Sequence, residues 1–155
     1  MTSHDLVPAW EEALEKASRY VFAPLPVIDI GSNVRLCGDG PSSWTVWMIV
    51  ARPKTRRFST WGTLRGKYER ERGDPQSPCR GGKPLGVMRA IVRDYSRPGD
   101  LVCDPCAGAG TTLIAAIAEG RRAIGAEIDR EAYDMAMART DAPLFADAAT
   151  QETLL

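Results

Sequence analysis

No apolar run in this sequence approaches the ~20 residues that a membrane-spanning helix needs, so an integral helical membrane protein is not expected. The opening residues MTSHDLVPAW lack a basic segment followed by an apolar core. That gives no sign of a secretory signal and makes a cytoplasmic location the expectation. Cysteine is scarce, with four in 155 residues. That is too few for a disulfide scaffold and points to reduced thiols. Histidine is scarcer still: His4 stands alone near the N-terminus and reads as incidental rather than as a general base. Net charge is absent, because 20 basic residues meet 20 acidic ones. No internal repeat is visible. What remains is 44% hydrophobic and 26% charged, an ordinary globular composition that argues against a disordered or collagen-like chain. The length suits one domain with a real core.

The zero net charge hides a segregation. Residues 52–83 hold ten bases (Arg52, Lys54, Arg56, Arg57, Arg65, Lys67, Arg70, Arg72, Arg80 and Lys83) against Glu69, Glu71 and Asp74. The segment therefore carries +7 and the rest of the chain −7. Phe58, Trp61 and Tyr68 lie among the bases. Cations with stackable rings suit nucleic acid, through phosphate neutralisation and base stacking. The same composition, rich in glycine and proline, also describes a solvated surface loop.

Along the chain, Pro8 to Ser18 reads as a helix with Trp10, Ala13, Leu14 and Ala17 on one face. Tyr20 to Ile28 reads as a strand made irregular or edge-like by Pro24 and Pro26. Gly31 to Ser43 is turn-rich. Trp44 to Ala51 is a strand apolar on both faces except at Thr45, and Trp44, Trp47 and Met48 are expected in the core. After the basic loop, Pro84 opens a helix with Leu85, Met88, Ile91, Val92 and Tyr95 at helical spacing. Leu101 to Cys103 reads as a short buried strand, Thr111 to Glu119 as a helix ended by Gly120, Ala123 to Ile128 as a strand and Arg130 to Arg139 as a helix. The last ~15 residues, from about 141, read as a tail. The order after Pro84 is a βαβ unit, so a parallel sheet with helical cover is expected.

At the centre of that unit stands Asp104-Pro105-Cys106-Ala107-Gly108-Ala109-Gly110-Thr111-Thr112, after a strand and before a helix. Gly108 permits a tight turn, and Gly110 lets backbone approach a ligand with no Cβ in the way. Free amides at a helix start favour an anionic or polar ligand. No Gly-Lys-Ser/Thr follows, which excludes a P-loop, and Leu113 departs from the dinucleotide G-x-G-x-x-G. Nineteen residues after Gly108, Glu127 falls at the expected strand end, where an acid accepts both ribose hydroxyls of a nucleoside. Alternatively the glycines only pack helix on strand. Cys103 and Cys106 invite a metal or redox reading, but Cys103 is expected in a buried strand and Cys37 and Cys79 form no second close pair, so no metal site is expected.

The run Lys83-Pro84-Leu85, then Tyr95-Ser96-Arg97-Pro98-Gly99-Asp100-Leu101-Val102-Cys103 and the glycine turn, resembles the amino-methylating DNA methyltransferases of the permuted class. In that class a K-P helix precedes a D-P-F-x-G-x-G-T-T loop. Gly125-Ala126-Glu127-Ile128-Asp129 resembles the family's second cofactor motif, and these motifs together cover residues 81–140. Gly38-Asp39-Gly40-Pro41-Ser42 and the Trp44–Ala51 strand are similar, more loosely, to the segment before the variable recognition loop. The resemblance is to short methyltransferases of phages and prophages, and extends to restriction-modification enzymes. It implies an α/β, Rossmann-like fold, mostly parallel with helices on both faces, and S-adenosylmethionine as cofactor. By it, Asp104, Gly108 and Gly110 surround the methionine portion, Pro105 and Cys106 are cofactor-binding residues of the same loop, and Thr111 and Thr112 line it. Glu127 binds the ribose, and Lys83 with the helix start at Pro84 lies near the carboxylate. Cys106 stands where the family usually has Phe, removing a shielding ring. Arg52, Lys54, Arg56, Arg57, Arg65 and Lys67 would contact DNA.

The family's chemical centre, a D/N/S-P-P-Y/F/W tetrapeptide that holds a flipped base, is absent from these 155 residues. Asp74-Pro75-Gln76-Ser77-Pro78 lacks the aromatic and is no substitute. Met1-Thr2-Ser3-His4-Asp5-Leu6 resembles the interior of the strand after that motif, so the chain is expected to begin inside an incomplete fold. The implied function is adenine-N6 or cytosine-N4 DNA methylation by a fragment or one part of a split enzyme, with the catalytic motif in a missing segment or on a complementary chain. The alternatives are a non-catalytic module that binds cofactor or DNA, and a methyltransferase acting on RNA or a small molecule.

Overall fold

A computed structural model describes residues 1–29, 44–54, 62–74 and 82–141. The chain divides into two compact units, Met1–Arg70 and Glu71–Leu155.

In the first unit, Pro8 sits in the first turn of helix α1 (Val7–Lys16), where its missing N–H costs nothing. Of the apolar face expected on this helix only Leu14 is half-buried; Trp10, Ala13 and Ala17 are exposed. Strand β1 (Arg19–Val21) pairs antiparallel with β4 (Ala51–Pro53), and β2 (Leu25–Ile28) pairs antiparallel with β3 (Thr45–Met48). β5 (Tyr68–Glu69) joins β2 in parallel, with Val27 opposite Tyr68. Thr2 exchanges two 2.8 Å backbone hydrogen bonds with Trp47 on the outer side of β3.

The single strand expected over Tyr20 to Ile28 is thus two, and so is the one expected over Trp44 to Ala51. The registers give the reason. Phe22 N–H donates to the Val50 carbonyl at 2.9 Å, and Leu25 pairs with Met48, so Ala23 and Pro24 stand opposite Ile49 alone. Two residues against one is a β-bulge, and Pro24, which has no N–H for a ladder, occupies it. The core of this unit is Val27, Met48 and Tyr68. Met48 is buried as expected, whereas Trp47 is half-buried and Trp44, which precedes β3, is exposed.

The second unit is the expected helix–strand–helix–strand–helix succession. α2 (Leu85–Tyr95) and α3 (Thr111–Ala118) pack together, and β6 (Leu101–Asp104) runs parallel to β7 (Arg122–Gly125), with Asp104 opposite Gly125. α4 (Arg130–Asp141) follows, its first turn capped by Asp129, whose carboxylate accepts the Ala132 N–H at 2.8 Å. Met88, Val92 and Ala115 form the core, with Leu85, Ile91 and Val102 packed against them. Helix α3 contributes Ile114, Ala115 and Ala116, all buried.

β6 is not the buried strand the sequence suggests. Leu101 is 55% exposed and Cys103 is exposed, as is Ile124 at 56% across the pair from Cys103. Strand side chains alternate, and the helical core takes the Val102 face, so the Leu101–Cys103–Ile124 face is left open among the described residues. The turn-rich stretch Gly31 to Ser43 lies outside the described residues, and so does the tail from residue 142. No helix of the described residues is long and apolar enough to cross a membrane.

Candidate functional site

The site begins where β6 ends. Asp104 turns the chain, its Oδ1 accepting the Cys106 N–H at 3.1 Å. The ladder with the β7 side continues past both strands: Ala126 N–H donates to the Asp104 carbonyl at 3.0 Å and Ala107 N–H to the Ala126 carbonyl at 2.9 Å. Backbone then passes through two left-handed glycines, Gly108 at φ 54° and Gly110 at φ 76°, before α3 starts. Gly110 is needed twice over. Its φ disfavours any side chain, and a Cβ there would lie 3.1 Å from the Ala136 Cβ on α4. Gly125 is needed for close approach: a Cβ would stand 2.9 Å from Leu113 Cδ1 and 3.1 Å from the Asp104 carbonyl oxygen.

Glu127 lies two residues beyond β7, not within a strand running to Ile128, and closes the turn. Its Oε2 accepts the Gly108 N–H at 2.7 Å, while Oε1 accepts Ile128 N–H and Asp129 N–H at 2.9 Å each. The Asp129 and Gly108 amides chiefly, and the Ile128 amide least, hold this carboxyl below the ordinary glutamate range against the opposing effect of desolvation. Glu127 is therefore ionised at neutral pH.

The structure brings Asp104, Pro105, Cys106, Gly108, Gly110, Thr111 and Glu127 around one turn. Pro105 and Cys106 are exposed, and Thr112 is half-buried. Thr111 is only 6% exposed, and its hydroxyl oxygen accepts from Arg139 Nη1 at 3.4 Å. Arg139 was not foreseen from the sequence. It reaches from α4 to the Ala109 carbonyl as well, and so ties the helix to the glycine turn. No signal in the sequence marked it: Arg139 lies three residues after Ala136, on the helix face that meets Gly110, and only the fold reveals that face.

Lys83 and Pro84 stand at the start of α2, half-buried and buried respectively. There the Gly86 N–H is shared by both oxygens of Asp74, at 3.0 Å each. An anion from the chain itself thus occupies the amide at that helix start, and Asp74 serves as a cap. Of the basic residues, Arg52 lies in β4 over the Tyr20 ring, Lys54 follows exposed, and Arg65 is exposed. Lys67 pairs with Glu69 at 3.0 Å. Arg56 and Arg57 lie outside the described residues. Cys103 and Cys106 are free thiols, and no group of three or more His, Cys, Asp or Glu side chains able to hold a metal occurs among the described residues.

A parallel βαβ unit with a glycine turn after its first strand and an acid after its second is the arrangement of the α/β folds that hold nucleosides. The family model for N6/N4 DNA methylases, described as DNA methylase, matches residues 34–138. The chain belongs to that family. DNA adenine methyltransferase YhdJ of Escherichia coli (strain K12) is 46% identical over 59 residues, covering 38% of this chain and 20% of that protein. The chain spans about a third or less of the length of the curated relatives it matches. Among solved structures, the M1.HpyAVI–SAM complex superposes with a TM-score of 0.71 at 22% identity, covering 90% of this chain and 71% of the other, and so shares the fold. TTHA0409 from Thermus thermophilus, complexed with S-adenosyl-L-methionine, superposes with a TM-score of 0.60 at 26% identity, covering 81% of this chain and 54% of the other.

Proposed function

We propose that this chain binds S-adenosylmethionine at the Asp104–Thr112 turn and serves in DNA methylation at adenine-N6 or cytosine-N4. The observation that carries the reading is the Glu127 carboxylate, ionised and held by the Gly108, Ile128 and Asp129 amides beside a turn that two left-handed glycines keep free of side chains. These residues fit a sulfonium nucleoside. With three of its four or so lone-pair sites taken by amides, the carboxylate has room for one ribose hydroxyl and accepts the second only where an amide such as that of Gly108 gives way, and it favours a cationic ligand nearby. Absence of a Cβ at Gly108, where nothing lies within 4 Å, admits close approach of a ligand to backbone, whereas the space at Gly110 is filled by Ala136 and serves helix packing rather than the ligand approach expected from the sequence. When bound, S-adenosylmethionine supplies an electrophilic methyl group.

In this reading Asp104 and Gly108 surround the methionine portion, Pro105 and Cys106 bind cofactor from the same loop, Gly110, Thr111 and Thr112 support the turn, and Lys83 with Pro84 lies toward the carboxylate. For that carboxylate to reach the Gly86 amide, Asp74 must give way. Arg52, Lys54, Arg56, Arg57, Arg65 and Lys67 neutralise DNA phosphates. The two units act as parts of one methyltransferase domain, which the family match over residues 34–138 supports by spanning both. The D-P-P-Y-type tetrapeptide that would hold the target base lies outside these 155 residues, in a missing segment or on a complementary chain. The protein works in the cytoplasm, in site-specific modification of host or phage DNA.

Calorimetric titration with S-adenosylmethionine, followed by labelled methyl transfer to DNA, tests the reading. Binding that falls at least about tenfold in Glu127→Ala, from loss of hydrogen bonds to a charged group, supports it. No heat with wild type, or equal heat with the variant, overturns it. Binding without methyl transfer, even when a D-P-P-Y-bearing polypeptide is added, converts the assignment to a non-catalytic cofactor-binding module.

A further inference from the structure

The β1–β4 ribbon carries a surface that the glycine turn does not explain. Tyr20 and Phe22 are 48% and 42% exposed, with ring centroids 5.0 Å apart and planes at 76°. Arg52 is the cross-strand partner of Tyr20, and its guanidinium lies 4.8 Å from the Tyr20 centroid and 5.8 Å from that of Phe22. Two exposed rings and a stacked guanidinium thus share one face. Exposed Lys54 follows Arg52 by two residues, Arg19 alternates to the face opposite Tyr20, and no acid occurs in either strand. The acids of the packed helix α1 are Glu11, Glu12 and Glu15, of which Glu12 is taken up by Lys16 at 2.6 Å.

We propose that this ribbon is a stacking platform for an unpaired stretch of DNA. The argument is one of complementarity. Aromatic rings exposed beside cations match a chain that alternates flat bases with phosphates. A duplex hides the base faces in its own stack, so only an unpaired strand uses both halves of the surface. Arg52 serves the stacking half, its guanidinium lying against the rings with Nε and Nη1 buried, so the phosphates fall to exposed cations such as Lys54. Enzymes that modify a base must take it out of the stack, and an opened duplex presents such a strand. The choice of DNA over another polyanion rests on the methyltransferase reading; the platform itself needs no cofactor.

The test uses the full chain without cofactor and a fluorescein-labelled single-stranded DNA, its duplex and the matching RNA, with anisotropy read over a range of salt. Single-stranded DNA is expected to bind more tightly than the duplex. Tyr20→Leu with Phe22→Leu keeps apolar bulk and is expected to lower single-strand affinity at least about tenfold, the scale of one lost base stack. It should leave S-adenosylmethionine binding unchanged. Lys54→Ala, at an exposed position, should reduce the slope of log affinity against log salt by about 0.7, the value of one single-strand phosphate contact. Duplex binding as tight as single-strand binding, or no response to the leucine pair in a variant with wild-type circular dichroism, overturns the platform. Tighter RNA binding with the same sensitivity overturns the choice of DNA. Single-strand binding without any binding of S-adenosylmethionine leaves the platform standing and removes the methyltransferase reading; the reverse result does the opposite.

Discussion

Replacing Gly110 by alanine separates two costs that the structure places on one residue. At φ 76° and ψ 18° an alanine sits in the left-handed region, at a cost of roughly 1–2 kcal/mol. Its Cβ would also lie 3.1 Å from the Ala136 Cβ and 3.3 Å from the Ala136 Cα. The second distance is to backbone and cannot be relieved by a rotamer change, so overpacking adds about 1–3 kcal/mol. Gly108 is the internal comparison. It too is left-handed, at φ 54°, but a Cβ there meets nothing within 4 Å. Gly108→Ala therefore bears the conformational cost alone, and the gain from a less flexible unfolded chain is common to both variants and cancels. Urea unfolding followed by circular dichroism reads the difference. All four tryptophans (10, 44, 47 and 61) lie in the first unit, so fluorescence reports separately on whether that unit stays folded. The expected order is wild type, then Gly108→Ala, then Gly110→Ala. Ala136→Gly, which alone costs about 1 kcal/mol in a helix, should recover part of the Gly110→Ala loss, a coupling of at least about 1 kcal/mol. Equal destabilisation by the two alanines, with Ala136→Gly simply additive, would refute the packing of α4 against the turn.

Three further outcomes follow from the same geometry. Glu127 has its folded pKa depressed by the Asp129 and Gly108 amides, so its stabilisation is complete above the ordinary glutamate pKa of about 4.3 and is lost as pH falls through the folded value. The melting temperature of Glu127→Gln should thus lie below wild type at pH 7 and converge with it in acid; a gap unchanged by pH contradicts the amide clamp. Arg139→Ala removes a charged donor from the Ala109 carbonyl and should cost roughly 1.5–3 kcal/mol in urea unfolding and weaken S-adenosylmethionine binding, with Arg139→Lys restoring a fraction of each. Asp74→Ala uncaps α2 and should cost about 0.5–2 kcal/mol, with faster hydrogen exchange at Gly86; unchanged exchange there would show that the carboxylate is not the cap.

Local chemistry made much of the second unit legible in the chain. Apolar spacing at Leu85, Met88, Ile91 and Val92 marks one helix face, and Gly108 and Gly110 point to a tight turn between a strand and a helix, which their positive φ values bear out. A βαβ unit with an acid nineteen residues after Gly108 then places Glu127 beside the turn before any coordinate is known. These features depend on neighbours a few residues away, or on one crossover whose geometry is nearly invariant, so the sequence alone determined them. Tertiary structure decided what depends on partners far along the chain. Only the register of β1–β4 against β2–β3 reveals the bulge at Ala23–Pro24, and only packing on one side of β6 exposes Leu101 and Cys103. Asp74 became a helix cap because folding brings it 3.0 Å from the Gly86 amide, twelve residues on. Arg139 found the Ala109 carbonyl thirty residues away for the same reason: hydrogen-bond partners are chosen by distance in space, which composition and periodicity do not encode.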